Sequence, residues 1–477
     1  MNSENTIINS ISIKIHDNQP NKYCPNIFSK DESLPKDESL PKDESLPKDE
    51  SLPKDESYPI NDKIFGILNI QLKETKINKK PIFVFFTNDI SGSMSDECSD
   101  ERTKMKHSIH AIRNILMLFD SYSDEIDIWI QVDAFDDNIE KIIPLQKMNH
   151  SKLDEMLSLL KKMRPRNGTN IELALNNAFN EIQSFKESHH DFLITHIFTT
   201  DGNSTSGSRD IITLSSLLDQ EIRNIFIGFG LDHSVITLNG LANSYEKGDY
   251  FFIDDIENGG LVYGEIIHSL LFPCIENIKI MVDDGFIYDY KKNIWSDSLY
   301  IPSLFSESNK TYHLYSLNPS LIKVSIIGTK TSDKTIIGVG VTGYEIHNLN
   351  NYIFRQKVQE LLFLYNDSFM KNEIEIVMNN LKNYMNENNL NEDVLLKSLH
   401  DDLWIVLNTD GSKLSKLFLT ARSHSNGKQL SYNVNKIPKQ NQNTGFYFRE
   451  PVNKKNSTPV QLEIMRSCSQ PMDYDSD

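Results

Sequence analysis

Between Pro81 and about Leu271 the apolar residues switch repeatedly between two periods, and this restricts the fold more than any other feature of the chain. Pro81-Ile82-Phe83-Val84-Phe85-Phe86-Thr87-Asn88 holds an unbroken apolar run, which predicts a strand covered on both faces. Met105, Ile109, Ile112, Ile115, Leu116 and Phe119 then recur at helical spacing, and Ile126-Asp127-Ile128-Trp129-Ile130-Gln131-Val132 returns to strand-like alternation. Helices are expected from Leu153 to Met163, from Ile171 to Ile182 and across Ile211 to Leu218. Phe192 to Thr199 and Ile222 to Phe229 are further buried-strand candidates. Strand alternating with helix over this length predicts an α/β fold, a doubly wound and mostly parallel sheet with helices on both faces. Such a sheet collects its functional loops beyond the carboxyl ends of its strands.

The flanking segments follow different rules. Ile64-Phe65-Gly66-Ile67-Leu68-Asn69-Ile70-Gln71-Leu72, within the stretch 60–80, has the pattern of a strand lying outside the α/β unit at 81–271. Short strands follow one another after about Pro273, among them Ile278 to Val282, Thr311 to Tyr315, Leu321 to Ile327 and Thr335 to Val341. They predict an appended β-sandwich over 272–349, which the strand at Ile64 to Leu72 is expected to close, making the α/β unit an insertion. Phe354, Val358, Leu361, Leu362 and Tyr365 line one helical face, and helices continue through Ile374 to Met385 and Val394 to Leu407. A smaller α-helical domain is therefore expected over 350–425. Residues 1–29 are expected to be disordered, and 426–477, rich in Asn, Lys, Gln and Ser, to be mostly disordered tail.

Residues 30–59 are five tandem hexamers, four of Lys-Asp-Glu-Ser-Leu-Pro and a last one of Lys-Asp-Glu-Ser-Tyr-Pro. A proline in every sixth position interrupts any helix, and one Leu per hexamer cannot offset the entropy of ordering the chain. An extended, solvated spacer is expected; the alternative is a multivalent docking tract anchored on Leu34, Leu40, Leu46 and Leu52. Each hexamer nets one negative charge, so the tract supplies −5 of the chain's −18. That balance argues against a general nucleic-acid surface, which depends on Lys and Arg neutralising phosphates.

Met1-Asn2-Ser3-Glu4-Asn5 has no basic region followed by an apolar one, and runs such as Ile82 to Phe86 are too short to span a bilayer. The expectation is a soluble, cytoplasmic protein with no membrane partner. Cys24, Cys98, Cys274 and Cys468 lie far apart without a Cys-x-x-Cys pair, which argues against a zinc ribbon or redox motif and predicts reduced thiols.

Three polar loops fall on one rim of the predicted sheet. Asp89-Ile90-Ser91-Gly92-Ser93 follows directly on the first apolar strand, although taken alone it is equally a polar turn capping the next helix. Asn167-Gly168-Thr169-Asn170 immediately precedes the helix at Ile171, and Thr199-Thr200-Asp201-Gly202-Asn203 ends another buried strand. These residues match the metal-ion-dependent adhesion site of von Willebrand factor type A domains, and the stretch from Ile82 to about Leu271 resembles that family in its order of elements. The resemblance implies that Asp89, Ser91 and Ser93 form the core of a metal site and that Thr169 and Asp201 bind directly or through water. It also implies that an acidic side chain of a protein partner completes the shell. In the family, ligation is often coupled to movement of the last helix, expected here from Ile256 to Leu270. The β-sandwich and helical region that follow resemble those of type A domain proteins with an intein-like C-terminal extension.

The donor chemistry agrees with that resemblance. Hydroxyls and carboxylates are hard oxygen ligands that suit Mg²⁺ or Mn²⁺ and disfavour soft metals. Two carboxylates against a dication leave the inner site near neutral, with room for one anionic oxygen from outside. The expected function is divalent-cation-dependent protein binding, in adhesion or scaffolding, without enzymatic activity. One alternative is a structural scaffold that the cation stiffens. The other is a metal-assisted hydrolase, which would need a better general base than these hydroxyls.

Asp96, Glu97, Asp100 and Glu101 add four carboxylates just past Ser93. They form either a solvated loop that favours the start of the next helix, or a field that captures cations and repels a bare carboxylate. The second case calls for a partner with basic residues around its acidic ligand. His107 and His110 stand three apart on a helix with no third ligand near, so a surface role is expected. Asp133, Asp136 and Asp137 lack calcium-loop spacing and are expected to form an edge turn. No Gly-x-Ser-x-Gly elbow or Walker-type loop occurs in the chain.

Overall fold

The computed structural model describes residues 7–17, 64–75, 80–98, 101–253, 259–316, 318–364, 368–408, 413–431 and 456–470. Two antiparallel strands come first, β1 (Ile8–His16) and β2 (Ile64–Leu72). The α/β unit opens with β3 (Ile82–Asp89), α1 (Lys104–Tyr122), β4 (Ile128–Phe135), β5 (Ile139–Lys147), α2 (Leu153–Leu160) and α3 (Ile171–Ser188). It continues through β6 (Leu193–Thr200), α4 (Ile211–Ser215), β7 (Arg223–Phe229), α5 (Val235–Asn243), β8 (Gly248–Ile253) and α6 (Gly259–Leu271).

The six strands of this unit run in the order β5-β4-β3-β6-β7-β8. All neighbours are parallel except β5, which folds back antiparallel on β4. The fold is α/β and doubly wound, and β3 shows why its sequence is continuously apolar. Ile82, Val84 and Phe86 enter one core with Ile112 and Ile115 of α1, while Phe83 and Phe85 enter another with Ala178, Ile182 and Phe185 of α3. Phe83 stacks on Phe185 with ring centroids 4.1 Å apart. The chain leaves β3 for β4 on one side and returns to β6 on the other, so strand order reverses at β3 and a crevice opens beyond its carboxyl end. β5, α5 and β8 lie outside the elements expected from periodicity. Edge strand β5 has only Ile142 and Ile143 buried, too few for a clear alternation.

After α6 the chain becomes all-β, with β9 (Pro273–Asp283), β10 (Gly285–Asp289), β11 (Ile294–Ser296), β12 (Ser298–Phe305), β13 (Asn309–Ser316), β14 (Lys323–Lys330), β15 (Ile336–Thr342) and β16 (Glu345–His347). These strands, with β1 and β2, form two sheets of order β11-β10-β13-β2-β1-β16 and β12-β9-β14-β15. Ile13, Ile15, Leu68 and Ile70 of the first share a core with Ile278, Ile280, Val324 and Ile326 of the second, which makes a sandwich. The α/β unit is thus inserted between β2 and β9.

β1 corrects the expectation of disorder across 1–29. Its partners lie far away in sequence, at β2 and at Glu345–His347, so nothing local signals its pairing. Gly66 permits the close approach of the two strands: a Cβ there would lie 2.9 Å from the Lys14 carbonyl. The hexamers at 30–59 and Cys24 lie outside the described residues.

Four helices follow, α7 (Asn350–Leu364), α8 (Ser368–Glu387), α9 (Val394–Asn408) and α10 (Lys413–Lys428), around a core that includes Phe354, Val358, Leu381, Leu399 and Leu403. The helical unit touches both neighbours. Leu349 and Ile353 cover Phe65 and Ile67 of β2, and Phe418 of α10 meets Phe252 of β8 edge-on, with centroids 5.8 Å apart.

One further described helix, α11 (Pro459–Cys468), lies within 426–477, where the sequence carries no periodic signal; 432–455 and 471–477 lie outside the described residues. A capping box between Thr458 and Gln461 starts it, and Ile464, Met465 and Cys468 are buried in the core of the α/β unit. Ten residues are too few for a stable isolated helix, so its stability comes from docking rather than from a local signal. Gly260 and Gly264 of α6 let it approach; a Cβ on Gly264 would lie 2.5 Å from the Met465 Cα. Asn114 of α1 donates to the Cys468 carbonyl at 3.0 Å, satisfying an acceptor at the helix end. No helix among the described residues is long and apolar enough to cross a membrane.

Candidate functional site

The site forms where β3 and β6 end side by side. Asn88 pairs with Thr199 in the parallel ladder, which sets Asp89 beside the start of the Thr200-Asp201-Gly202 loop. Both carboxylates are fully buried, Ser91 and Thr169 nearly so, and Ser93 is partly exposed. Local bonds shape the first loop. Asp89 Oδ1 accepts the Ser91 N–H at 2.7 Å, the side chains of Ile90 and Met94 anchor the loop in the core, and Gly92–Ser95 forms one 3₁₀ turn.

The second and third loops are stitched to the first. The Arg166 N–H donates to the Ile90 carbonyl at 2.7 Å and the Gly92 N–H to the Asn167 carbonyl at 3.0 Å. Thr169 N–H donates to Thr205 Oγ1 at 2.8 Å, and the Thr205 N–H returns a bond to the Thr169 carbonyl, also at 2.8 Å. Asn170 caps α3 by accepting the Leu173 N–H, so Thr169 is fixed at the end of a rigid helix.

The side-chain oxygens converge. Ser91 and Ser93 hydroxyls lie 3.1 Å apart, and Ser93 Oγ donates to Asp201 Oδ1 at 2.7 Å. Thr200 Oγ1 donates to Asp89 Oδ2. A Cβ on Gly202 would sit 3.6 Å from both Ser93 Oγ and Thr169 Oγ1, so the Thr169 hydroxyl opens onto the same concavity. The structure therefore brings Asp89, Ser91, Ser93, Thr169 and Asp201 to one patch.

Thr200, Lys104 and Asp136 also build this patch and were not anticipated from the sequence. Lys104, the first residue of α1, is buried, and its ammonium donates to Asp201 Oδ2 at 2.8 Å and to Asp96 Oδ2 at 3.1 Å. The one available signal was a cation at a helix N-terminus, where the helix dipole disfavours it. Asp136 corrects the reading of Asp133, Asp136 and Asp137 as a simple edge turn. It is fully buried and accepts from Arg166 Nε and Asn167 Nδ2, each at 2.8 Å, clamping the loop that carries Thr169. Asp133 is equally buried and accepts from Asn177 Nδ2 at 2.8 Å. Three closely spaced aspartates gave no indication of which were inside.

Electrostatics differ across the patch. Burial pushes the Asp89 carboxyl up to about 6, against the opposing pull of bonds from Thr200 and Ser91. Burial alone would lower the Lys104 ammonium, yet its bonds to Asp201 and Asp96 hold it above the ordinary lysine value. Burial likewise opposes ionisation of Asp136, but the Asn138 N–H, Arg166 and Asn167 hold that carboxyl below the usual range. Asp96, Glu97 and Glu101 are exposed and precede α1, and none lies in its first turn; Asp100 lies outside the described residues. His107 is buried rather than on the surface, and His110 Nε2 lies 2.7 Å from the Gln470 carbonyl.

The donor set fits a hard dication. Among the described residues no group of three or more His, Cys, Asp and Glu is placed to hold a metal, so a cation here would depend on two carboxylates supplemented by hydroxyls. Such all-oxygen sets suit Mg²⁺ or Mn²⁺ with water and external oxygens completing the shell.

Comparison with known proteins agrees with the sheet. Residues 84–203 match the von Willebrand factor type A domain family. Among solved structures, a von Willebrand factor type A protein from Catenulispora acidiphila is similar at 12% identity and a TM-score of 0.51, covering 75% of this chain and 92% of that one. That coverage exceeds the α/β unit, so the likeness in fold takes in flanking residues. The ArnB paralog VWA2 from Sulfolobus acidocaldarius is similar at 16% identity and a TM-score of 0.46, covering 76% of this chain and 94% of that one. No curated protein matches the chain. The resemblance to an intein-like extension finds no support in these matches. Sheet order, loop placement and the match over 84–203 agree: this chain carries a von Willebrand factor type A domain.

Proposed function

We propose that the type A domain is a divalent-cation-dependent protein-binding module, used in adhesion or scaffolding and not in catalysis. Asp89, Ser91, Ser93, Thr169 and Asp201 would hold Mg²⁺ or Mn²⁺, and an acidic side chain of the partner would complete the shell. The observation that carries this reading is the linked set of oxygens, Ser91 to Ser93 at 3.1 Å and Ser93 to Asp201 at 2.7 Å, at the point where strand order reverses. The bound cation would supply a positive charge with a coordination position for an outside carboxylate. The chain's part is to hold hard oxygens in a fixed, buried frame around it. The exposed Asp96 side chain and Glu97 beside it favour a partner that surrounds its acidic ligand with basic residues.

The test is a pull-down from lysate with the full chain, with and without Mg²⁺. Partner capture should be lost on chelation and in Asp89→Ala, while far-UV circular dichroism stays unchanged. Capture that ignores both changes refutes the adhesion reading. A purely structural cation is the weaker alternative because Asp201 already has Lys104 as its counter-charge and the loops are stitched by backbone bonds. It would appear as a chelator-induced fall in melting temperature with partner capture intact.

A further inference from the structure

Metal ligation by oxygens does not require Lys104, yet its ammonium lies inside the ligand set. It bonds Asp201 through Oδ2, on the same carboxylate whose Oδ1 accepts from Ser93. The Lys104 side chain is only 10% exposed, and its second partner, Asp96, is 58% exposed. A lysine as the first residue of a helix opposes the macrodipole, and a buried ammonium is costly unless paired. Helix formation therefore gives no reason for the residue, whereas the carboxylate of Asp201 does.

We propose that Lys104 is a tethered cation that shares Asp201 with the divalent ion and weakens its binding, and that Asp96 is the seat to which the ammonium withdraws when the ion enters. This inference rests on the metal-binding reading of Asp89 and its neighbours. Without an ion, Lys104 neutralises a buried carboxylate and keeps the third loop in place. With an ion, a unit positive charge stands close to a dication, and at an effective dielectric of roughly 20 that repulsion alters an affinity by tenfold or more. The bond already made to Asp96 means that withdrawal needs a change of partner, not exposure of an unpaired charge.

The experiment is Mn²⁺ titration of the full chain, read by the loss of free-ion electron paramagnetic resonance signal, for the native protein, Lys104→Met, Lys104→Gln and Lys104→Arg. Both uncharged variants should bind Mn²⁺ at least about tenfold more tightly than the native chain, and the arginine variant should stay within a few-fold of it. Glutamine keeps a donor for Asp201, so a charge effect appears in both uncharged variants and a packing effect only in methionine. A second readout is melting temperature: without metal the uncharged variants should melt below the native chain, and Mn²⁺ should raise them by more. Equal or weaker Mn²⁺ affinity in both uncharged variants, with the native chain binding and Asp89→Ala abolishing it, overturns the role of Lys104 alone. Absence of Mn²⁺ binding in the native chain and all variants overturns the metal site and, with it, this inference.

Discussion

Replacing Gly264 by alanine sets two physical effects against each other, and the structure decides the sign. Helix propensity favours the change by about 1 kcal/mol, because glycine in a helix interior is the poorer residue. Packing opposes it. The new Cβ would stand 2.5 Å from the Met465 Cα and 3.0 Å from its nitrogen, both backbone atoms that no rotamer change can move. Restoring ordinary contact displaces α11 from α6 by roughly 1 Å, and overpacking of this kind typically costs about 1–3 kcal/mol. Gly260 repeats the situation one turn earlier, where a Cβ would meet the Cys468 carbonyl and lie 2.6 Å from the Ser469 Cα. The double change Gly260→Ala with Gly264→Ala should therefore destabilise the protein by about 2 kcal/mol in spite of better propensity. The loss should be local. Hydrogen exchange read by mass spectrometry should accelerate over 459–468, while peptides from β3 and β6 keep their protection, because Ile464, Met465 and Cys468 hold α11 in place. A rise in stability of about 1–2 kcal/mol with unchanged exchange would mean that propensity alone operates and that α11 does not dock as described.

Further outcomes follow from single buried groups. Asp136→Ala removes the acceptor shared by Arg166 and Asn167 and should cost at least about 2 kcal/mol in urea melts; an unaltered melt would show that the Thr169 loop holds itself. Asp402→Ala strips the buried Arg422 guanidinium of the carboxylate it bonds, which Asn426 also contacts at 2.6 Å, and should cost about 3–5 kcal/mol. Burial pushes the His196 imidazole from 6.5 down to about 4, despite a favourable bond with Asn224. Between those values the unfolded chain takes up a proton that the folded chain refuses, so stability is full above about pH 6.5 and falls as pH drops toward 4, by on the order of 3 kcal/mol. His196→Gln should flatten that acid limb, and an unchanged slope would place the loss elsewhere.

The α/β sheet was legible because each element carries its own periodic signal: β3 is apolar at every position since α1 covers one face and α3 the other. The three polar loops were legible for a related reason, since each directly follows a buried strand or precedes a helix and so must lie on one rim. Long-range partners left no such mark. β1 becomes a strand only beside β2, and α11 a helix only against Gly260 and Gly264, because neither segment is long or apolar enough to bury itself alone. The same division runs through the site. Sequence by itself determined which oxygens stand in the loops of that rim. Tertiary structure decided that Asp136 lies inside while its neighbour Asp137 does not, and that a lysine 97 residues before Asp201 lies 2.8 Å from its carboxylate. Register and helix packing set those distances, and neither is encoded in local spacing.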